Sequence, residues 1–243
     1  MRDYSMTQTP LHSAGVPQHK LLQLLAQSGA PLADGPLPCC GERLGRLFGL
    51  SNTLTLDSAI AFRTRQSGMN QGPAIERVTQ ELANTRRALI RKISSYGSEV
   101  EPTESVDFEP YLNAWLTLQR RVVAASRQLR DKTRKVMKDH NQNLARLAEL
   151  DSAFDQAMAG YSSQSFAHIP KVLEQRFQAL FPALSQTQQT PSEASQETGC
   201  APGDRLHRYC EEAQNLLLAE LDVRLEPVLG LLEACHNEVT NSP

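Results

Sequence analysis

The 243-residue chain carries 25 Lys and Arg against 27 Asp and Glu, a net charge of −2, so general affinity for polyanions is excluded and a nucleic-acid role would have to rest on local charge. Hydrophobic residues make up 40% and aromatics only 5%, lean for a β-sandwich or a compact enzyme core and well suited to leucine-and-alanine helix packing. No run nears the roughly 20 apolar residues that cross a bilayer, which argues against direct membrane insertion.

The polar opening "MRDYSMTQTPLHSAGVPQHK" has no apolar stretch of the secretory kind, and residues 1–17, with Pro10, Gly15 and Pro17, are expected to be disordered. "KLLQLLAQSGAP" places Leu21, Leu22, Leu24 and Leu25 on a short helix that Gly29 and Pro31 stop. After the loop "APLADGPLPCCG", Leu44, Leu47 and Phe48 form a second helical stripe. "SNTLTLDSAIAF" follows, and Leu54, Leu56, Ile60 and Phe62 leave helix and strand both open there. Residues 18–68 are thus a small helical head, closed by the breaker cluster "RQSGMNQGP", a plausible hinge.

From Ala74 the pattern changes. Ile75, Leu82, Leu89 and Tyr96 repeat every seven residues, with Val78, Arg86 and Ile93 between them, and such a seam demands a partner helix. Gly97, Pro102 and Pro110 then interrupt the chain. The next apolar series runs from Trp115 through Leu118, Val122, Ala125, Leu129, Val136, His140, Leu144, Leu147, Leu150 and Phe154 to Met158, with no Pro or Gly between Tyr111 and Ala159. As one rod it would extend on the order of 70 Å. "DHNQN" is poor helix material, so a break near Asn141 is the alternative. A short helix with Val172, Leu173, Phe177, Leu180 and Phe181 completes a long-helix bundle over 74–182. The polar tract over 183–203 is expected to be a disordered linker, and 204–238 a C-terminal helix packing on the bundle and bent at Pro227. The fold class is all-α, a long-helix antiparallel bundle or coiled coil of six or seven helices.

No phosphate-binding glycine loop, nucleophile elbow or HExxH helix occurs, and no cofactor or enzymatic activity is expected. Cys39, Cys40, Cys200, Cys210 and Cys235 lack framework spacing and read as reduced thiols in a cytoplasmic protein. Only His207 and Cys210 have a metal-like spacing, and Cys210 and Cys235 sit on an apolar face, where burial explains them without a metal. The same His–Cys pair lacks an orienting third group and an oxyanion donor, so a nucleophilic role is not supported. His140, beside Asn141 and Asn143, suits a polar layer that fixes helix register.

The feature left is basic. Arg120, Arg121, Arg127, Arg130, Lys132, Arg134, Lys135 and Lys138 crowd one helical stretch, with Arg86, Arg87, Arg91 and Lys92 on the preceding helix. Arg127, Arg130, Arg134, Lys135 and Lys138 are the candidate partner-binding residues. If the two helices run antiparallel the clusters merge into one patch. Four readings compete: a face that is simply solvated, one matched by the acidic segment 204–238 of the same chain or of a second copy, one that meets a protein partner, and one that meets nucleic acid. The last is weakened because Tyr111 and Trp115 lie at one end only, leaving no stacking platform.

The stretch "KLLQLLAQSGAPLADGPLPCCGERLGRLFGLSNTLTLDSAIAF" resembles the opening of a family of uncharacterised proteobacterial helical proteins, through Leu21, Leu22, Leu24, Leu25, then Leu44, Leu47, Phe48, Gly49, then Leu54, Leu56, Ile60. Phe48 stands where that family's pattern has tryptophan, and the Cys39–Cys40 pair is unusual for it. The resemblance implies genes beside MotA/TolQ-type proton channels and OmpA-type peptidoglycan binders, some sets resembling Zorya anti-phage systems. It implies no activity and no functional residue. The expectation is therefore a non-catalytic adaptor, open to homo-oligomer formation, that docks a MotA/TolQ-type membrane complex in anti-phage defence, with a nucleic-acid-binding module as the alternative.

Overall fold

A computed structural model describes residues 20–29, 40–63, 72–98, 107–181 and 202–241. The disordered N-terminus expected at 1–17, the loop at 30–39, most of the expected hinge and residues 183–201 of the linker expected at 183–203 lie outside the described residues; its last two residues, Pro202 and Gly203, instead open the final helix. The described residues form eight helices: α1 (Lys20–Gln27), α2 (Cys40–Leu47), α3 (Leu50–Ile60), α4 (Gly72–Ser94), α5 (Phe108–His140), α6 (Gln142–Phe166), α7 (Ile169–Leu180) and α8 (Pro202–Asn241). No strand occurs among them, as the apolar periodicity requires.

The core is a three-helix layer of α4, α5 and α8. The α4 seam behaves as its spacing predicts: Ile75, Leu82, Leu89 and Tyr96 are buried, and so are Val78 and Ile93. Arg86 in the same pattern is exposed and pairs with Asp222 of α8 at 2.9 Å. On α5 the seam drifts. Trp115, Val122 and Leu129 are fully packed, but the fourth heptad place is taken by Met137, with Val136 only half-buried. A straight α-helix gains about 20° per heptad on a 3.5-residue repeat, so the inward position moves one residue along.

Contacts fix the directions. Gln214 of α8 donates to the carbonyls of Ser94 and Tyr96, and Arg86 reaches Asp222, so α4 and α8 run antiparallel. Trp115 donates its indole N–H to the Ala213 carbonyl at 3.3 Å and Gln119 donates to Glu220, so α5 and α8 run parallel. Two parallel neighbours need a return path, and α6 with α7 supplies it. Arg130 meets Asp151 and Asp155, Lys138 meets Glu149, and Phe108 stacks near Phe177 at 5.2 Å, so the α6–α7 pair runs back along the whole of α5.

The single rod is therefore not formed; the chain breaks at Asn141. Its backbone is extended (φ −152°, ψ 173°), its side chain accepts from Leu144 N–H at 2.8 Å, and its carbonyl accepts from Ala145 N–H at 2.9 Å. One residue serves as C-cap of α5 and N-cap of α6, the role asparagine fills best. Asn141 and Asn143 also donate to Glu238 of α8 at 3.4 Å.

The head is dispersed over the bundle. Leu21 of α1 enters the main core and Gly29 (φ +86°) ends that helix where the sequence predicts. α3 is helical and lies on α6: the Phe62 carbonyl accepts from Gln142 and Arg146, and Phe48 stacks on Phe154 at 5.5 Å. α8 is one helix of 40 residues that continues through Pro227.

Candidate docking surface

Three of the five candidate cations are bound within the fold. Arg130 and Arg134, one turn apart on α5, face Asp151 and Asp155, one turn apart on α6. Arg130 grips Asp151 with two nitrogens (2.5 and 2.9 Å) and Asp155 with a third at 2.7 Å. Arg134 binds Asp151 at 2.7 Å, Asp155 at 3.0 Å and Asp131 at 3.1 Å. The side chains of Arg130, Arg134 and Asp151 are only 15%, 11% and 13% exposed, which makes this a structural clamp. Burial opposes the Arg134 charge, and the hydrogen bonds to Asp155 and Asp151 outweigh it, raising its pKa. Lys138 pairs with Glu149 at 2.7 Å. Lys132, outside the candidate set, pairs with Glu81 of α4.

The acids that match the basic helix thus come from α6 and α4, not from the acidic C-terminal segment of the same chain. α8 contributes acids elsewhere: Glu212 to Arg176 at 2.5 Å and Glu220 to Arg224 at 2.7 Å. Glu220 is fully buried and accepts from both Gln119 and Arg224. Burial raises its pKa, and Arg224 and Gln119 offset only part of that effect.

Arg127 and Lys135 remain exposed, lining with Ala124, Gln128, Asp131 and Lys132 an open depression of about 520 Å³ on α5. Sequence reasoning named them for a face they share only in part. The face carrying Arg130, Arg134 and Lys138 turns toward α6, whereas Lys135 lies outward of it. The outward strip holds cations the candidate set omitted: Arg120 and Arg121 on α5, and Arg87, Arg91 and Lys92 on the outer side of α4 are all exposed. The Glu81–Lys132 contact, and the Tyr96 hydroxyl bound to the Tyr111 carbonyl at 3.1 Å, make α4 and α5 antiparallel, so the two basic runs lie side by side. Between Asn84 and Lys92, and between Asn113 and Lys135, the only acid is Asp131, already held by Arg134.

Two of the five thiols, Cys210 and Cys235, have described side chains, and both are free. Cys235 has no exposed surface, and burial pushes the Cys210 and Cys235 thiols up to about 11. His207 is exposed and lies 3.7 Å from Glu211. Among the described residues no three His, Cys, Asp or Glu side chains gather in a metal-binding arrangement.

A family model described as "Protein of unknown function (DUF3348)" matches residues 6–237. The chain belongs to the DUF3348 family. No curated protein and no solved structure matches it. Among the described residues of this DUF3348 protein no helix is long and apolar enough to cross a membrane.

Proposed function

We propose that this DUF3348 protein is a non-catalytic, cytoplasmic adaptor that docks an acidic protein surface on the outer side of the α4–α5 pair. One observation carries the reading. From Arg86 to Lys138 the arginines and lysines of α4 and α5 divide into those with an acid supplied by the fold (Arg86, Lys132, Arg130, Arg134, Lys138) and those displayed outward with no ion pair among the described residues: Arg87, Arg91, Lys92, Arg120, Arg121, Arg127 and Lys135. Seven like charges on two adjacent helices repel one another, and an acidic partner relieves that cost. The resemblance in the N-terminal stretch supplies the class of partner: the cytoplasmic part of a MotA/TolQ-type membrane complex within a Zorya-like anti-phage set. Nucleic acid is the second reading, favoured by the continuity of the strip and disfavoured by its lack of stacking aromatics.

The test compares the unmodified protein with the Arg120→Glu/Arg121→Glu/Arg127→Glu variant, all at exposed positions. Tagged protein is recovered from its host, and retained proteins are identified while salt rises from about 50 mM to about 500 mM, a range over which surface charge becomes screened. Retention of a MotA/TolQ-type protein that salt and charge reversal both abolish is expected. Equal retention by the variant overturns the assignment of this surface. Salt-dependent binding of a labelled DNA duplex that the variant loses, with no protein retained, replaces the adaptor with the second reading.

A further inference from the structure

We propose that two copies of this chain exchange their α6–α8 segments by straightening the turn at Asn141, so that α5 and α6 join into one helix and each folded unit is built from both chains. Two observations carry it. The first is that the turn spends a single residue. Asn141 alone leaves the helical conformation, and its carbonyl already accepts from Ala145 N–H, the bond a continuous helix makes there. No proline or glycine lies between Tyr111 and Ala159 to keep the two helices from joining. Straightening gives up the Asn141 cap on Leu144 N–H and replaces it with helical hydrogen bonds.

The second is a stripe that crosses the turn in phase. It starts at Arg130 and Arg134, passes through Met137, Asn141, Leu144 and Ala148, and ends at Asp151 and Asp155, in alternating steps of four and three residues, the spacing of a coiled-coil seam. Met137, Leu144 and Ala148 are buried, and the arginines and aspartates face each other across the hairpin. A hairpin does not require this, because a chain reversal lets the second helix start in any phase. A continuous helix with one packed side does require it.

Charge sets how two such helices pair. With arginines at one end of the stripe and aspartates at the other, parallel copies would set like charges together, and antiparallel copies match. Arg134 and Asp151 are equidistant from the Gln142–Asn143 peptide bond, and so are Arg130 and Asp155. A two-fold axis at that bond therefore restores between copies the clamp now made within one chain. The packing of α7 and α8 on α4 and α5 transfers with it, so each copy's α5 receives the surface that already fits it. Along the joined helix the two Arg127 positions would lie on the order of 45 Å apart, which sets two basic strips on one particle. The exchange does not depend on what those strips bind.

The experiment unfolds the full chain in urea, with thiols kept reduced, and refolds it at about 2 µM and about 200 µM before gel filtration. A dimer that forms at the higher concentration and reverts over hours to days on dilution is expected, because its release requires unfolding. Chain labelled with heavy nitrogen is mixed with ordinary chain before refolding, and a carbodiimide then joins Lys138 to Glu149, 2.7 Å apart. Mass analysis should find heavy–light Lys138–Glu149 links in the dimer and none in the monomer. Asn141→Ala removes the cap and favours continuous helix at both turns of the dimer, which should tighten it by about 100-fold. Inserting Gly-Ser-Gly-Ser after Asn141 gives the hairpin slack and interrupts the joined helix, and should leave monomer only. A dimer whose links all lie within one chain overturns the proposal, as does a dimer that survives the insertion. Monomer at every concentration for both the unmodified chain and Asn141→Ala overturns it as well.

Discussion

Replacing Asp151 with Asn tests whether the α5–α6 hairpin is held by its charge clamp. Asp151 accepts from Arg130 through both oxygens and from Arg134 through one, at 2.5–2.9 Å, with 13% of its side chain exposed. Removing one partner of a buried ion pair costs about 3–5 kcal/mol when the remaining charge is left alone. Here Asp155 still bridges both guanidinium groups, and it is 43% exposed, so part of the loss is recovered and part is screened. Two arginines one turn apart, held inward with one carboxylate between them, then repel. The expected loss is about 2 kcal/mol, which for a chain of this size lowers Tm by roughly 4–8 °C. Urea unfolding followed by far-UV circular dichroism and by the emission of Trp115, the one tryptophan and fully buried, measures it. Arg134→Met and the double variant complete a cycle, whose coupling should reach about 1 kcal/mol or more. An Asp151→Asn variant within about 0.5 kcal/mol of the unmodified protein, or strictly additive effects in the cycle, would show that the clamp is incidental to stability.

Glu220 and Glu212 should give opposite pH slopes. Burial raises the Glu220 pKa above the ordinary glutamate range, so its contribution is present below the unfolded pKa and is lost as pH rises through the folded value; the stability of the unmodified protein relative to Glu220→Gln must fall with rising pH. For Glu212 burial acts upward, but Arg176 and Arg208 outweigh it and lower the pKa; its contribution is present above the unfolded pKa and lost as pH falls through the folded value, so Glu212→Gln approaches the unmodified protein on acidification. Urea titrations at several pH values read both, and slopes of like sign would contradict the two environments. Gly97→Ala should cost about 1–3 kcal/mol, because φ is +89° and the added Cβ would lie 2.5 Å from Cys210 Sγ. Gly97→Ala/Cys210→Ala should recover the steric share alone, and full recovery would dismiss the backbone strain. With Cys39, Cys40 and Cys200 changed to Ser, labelling of Cys210 and Cys235 near pH 8 should track unfolding, since both thiols are held up to about 11; prompt labelling in native buffer would contradict that burial.

The class of fold was legible because the α4 and α5 seams carry a strong apolar period and leave no room for strands. The break at Asn141 was legible for a local reason, since asparagine caps helices better than it extends them. What stayed hidden was the partner of the basic run. The sequence holds two acidic sets, Asp151/Asp155 and the many acids of 204–238, and composition alone favours the larger. Topology chose the smaller: a one-residue turn folds α6 onto α5, so Asp151 and Asp155 arrive opposite Arg134 and Arg130 at matching one-turn spacing. That spacing, four residues between the arginines and four between the aspartates about a central asparagine, was the available signal. Helix α3 was ambiguous for the complementary reason, since apolar residues on both of its sides blur the period that distinguishes helix from strand.

The same geometry explains why an uncompensated strip survives on a chain whose net charge is near zero. Around α5, one side carries Trp115, Val122, Leu129 and Met137 into the core, a second faces the acids of α6, and a third faces Glu81 of α4. Every cation of α5 on those three sides that lies within reach of an acid has been matched. Arg120, Arg121, Arg127 and Lys135 lie on the fourth side, which no described helix covers. The helix α8, parallel to α5, meets it through the core contacts of Trp115 and Gln119 rather than across that fourth side. A net charge of −2 for the whole chain therefore coexists with a strip of like charge along one side of α5. Such a field orients an incoming acidic surface before contact, and its effect on association should vanish within a Debye length, about 8 Å at physiological salt.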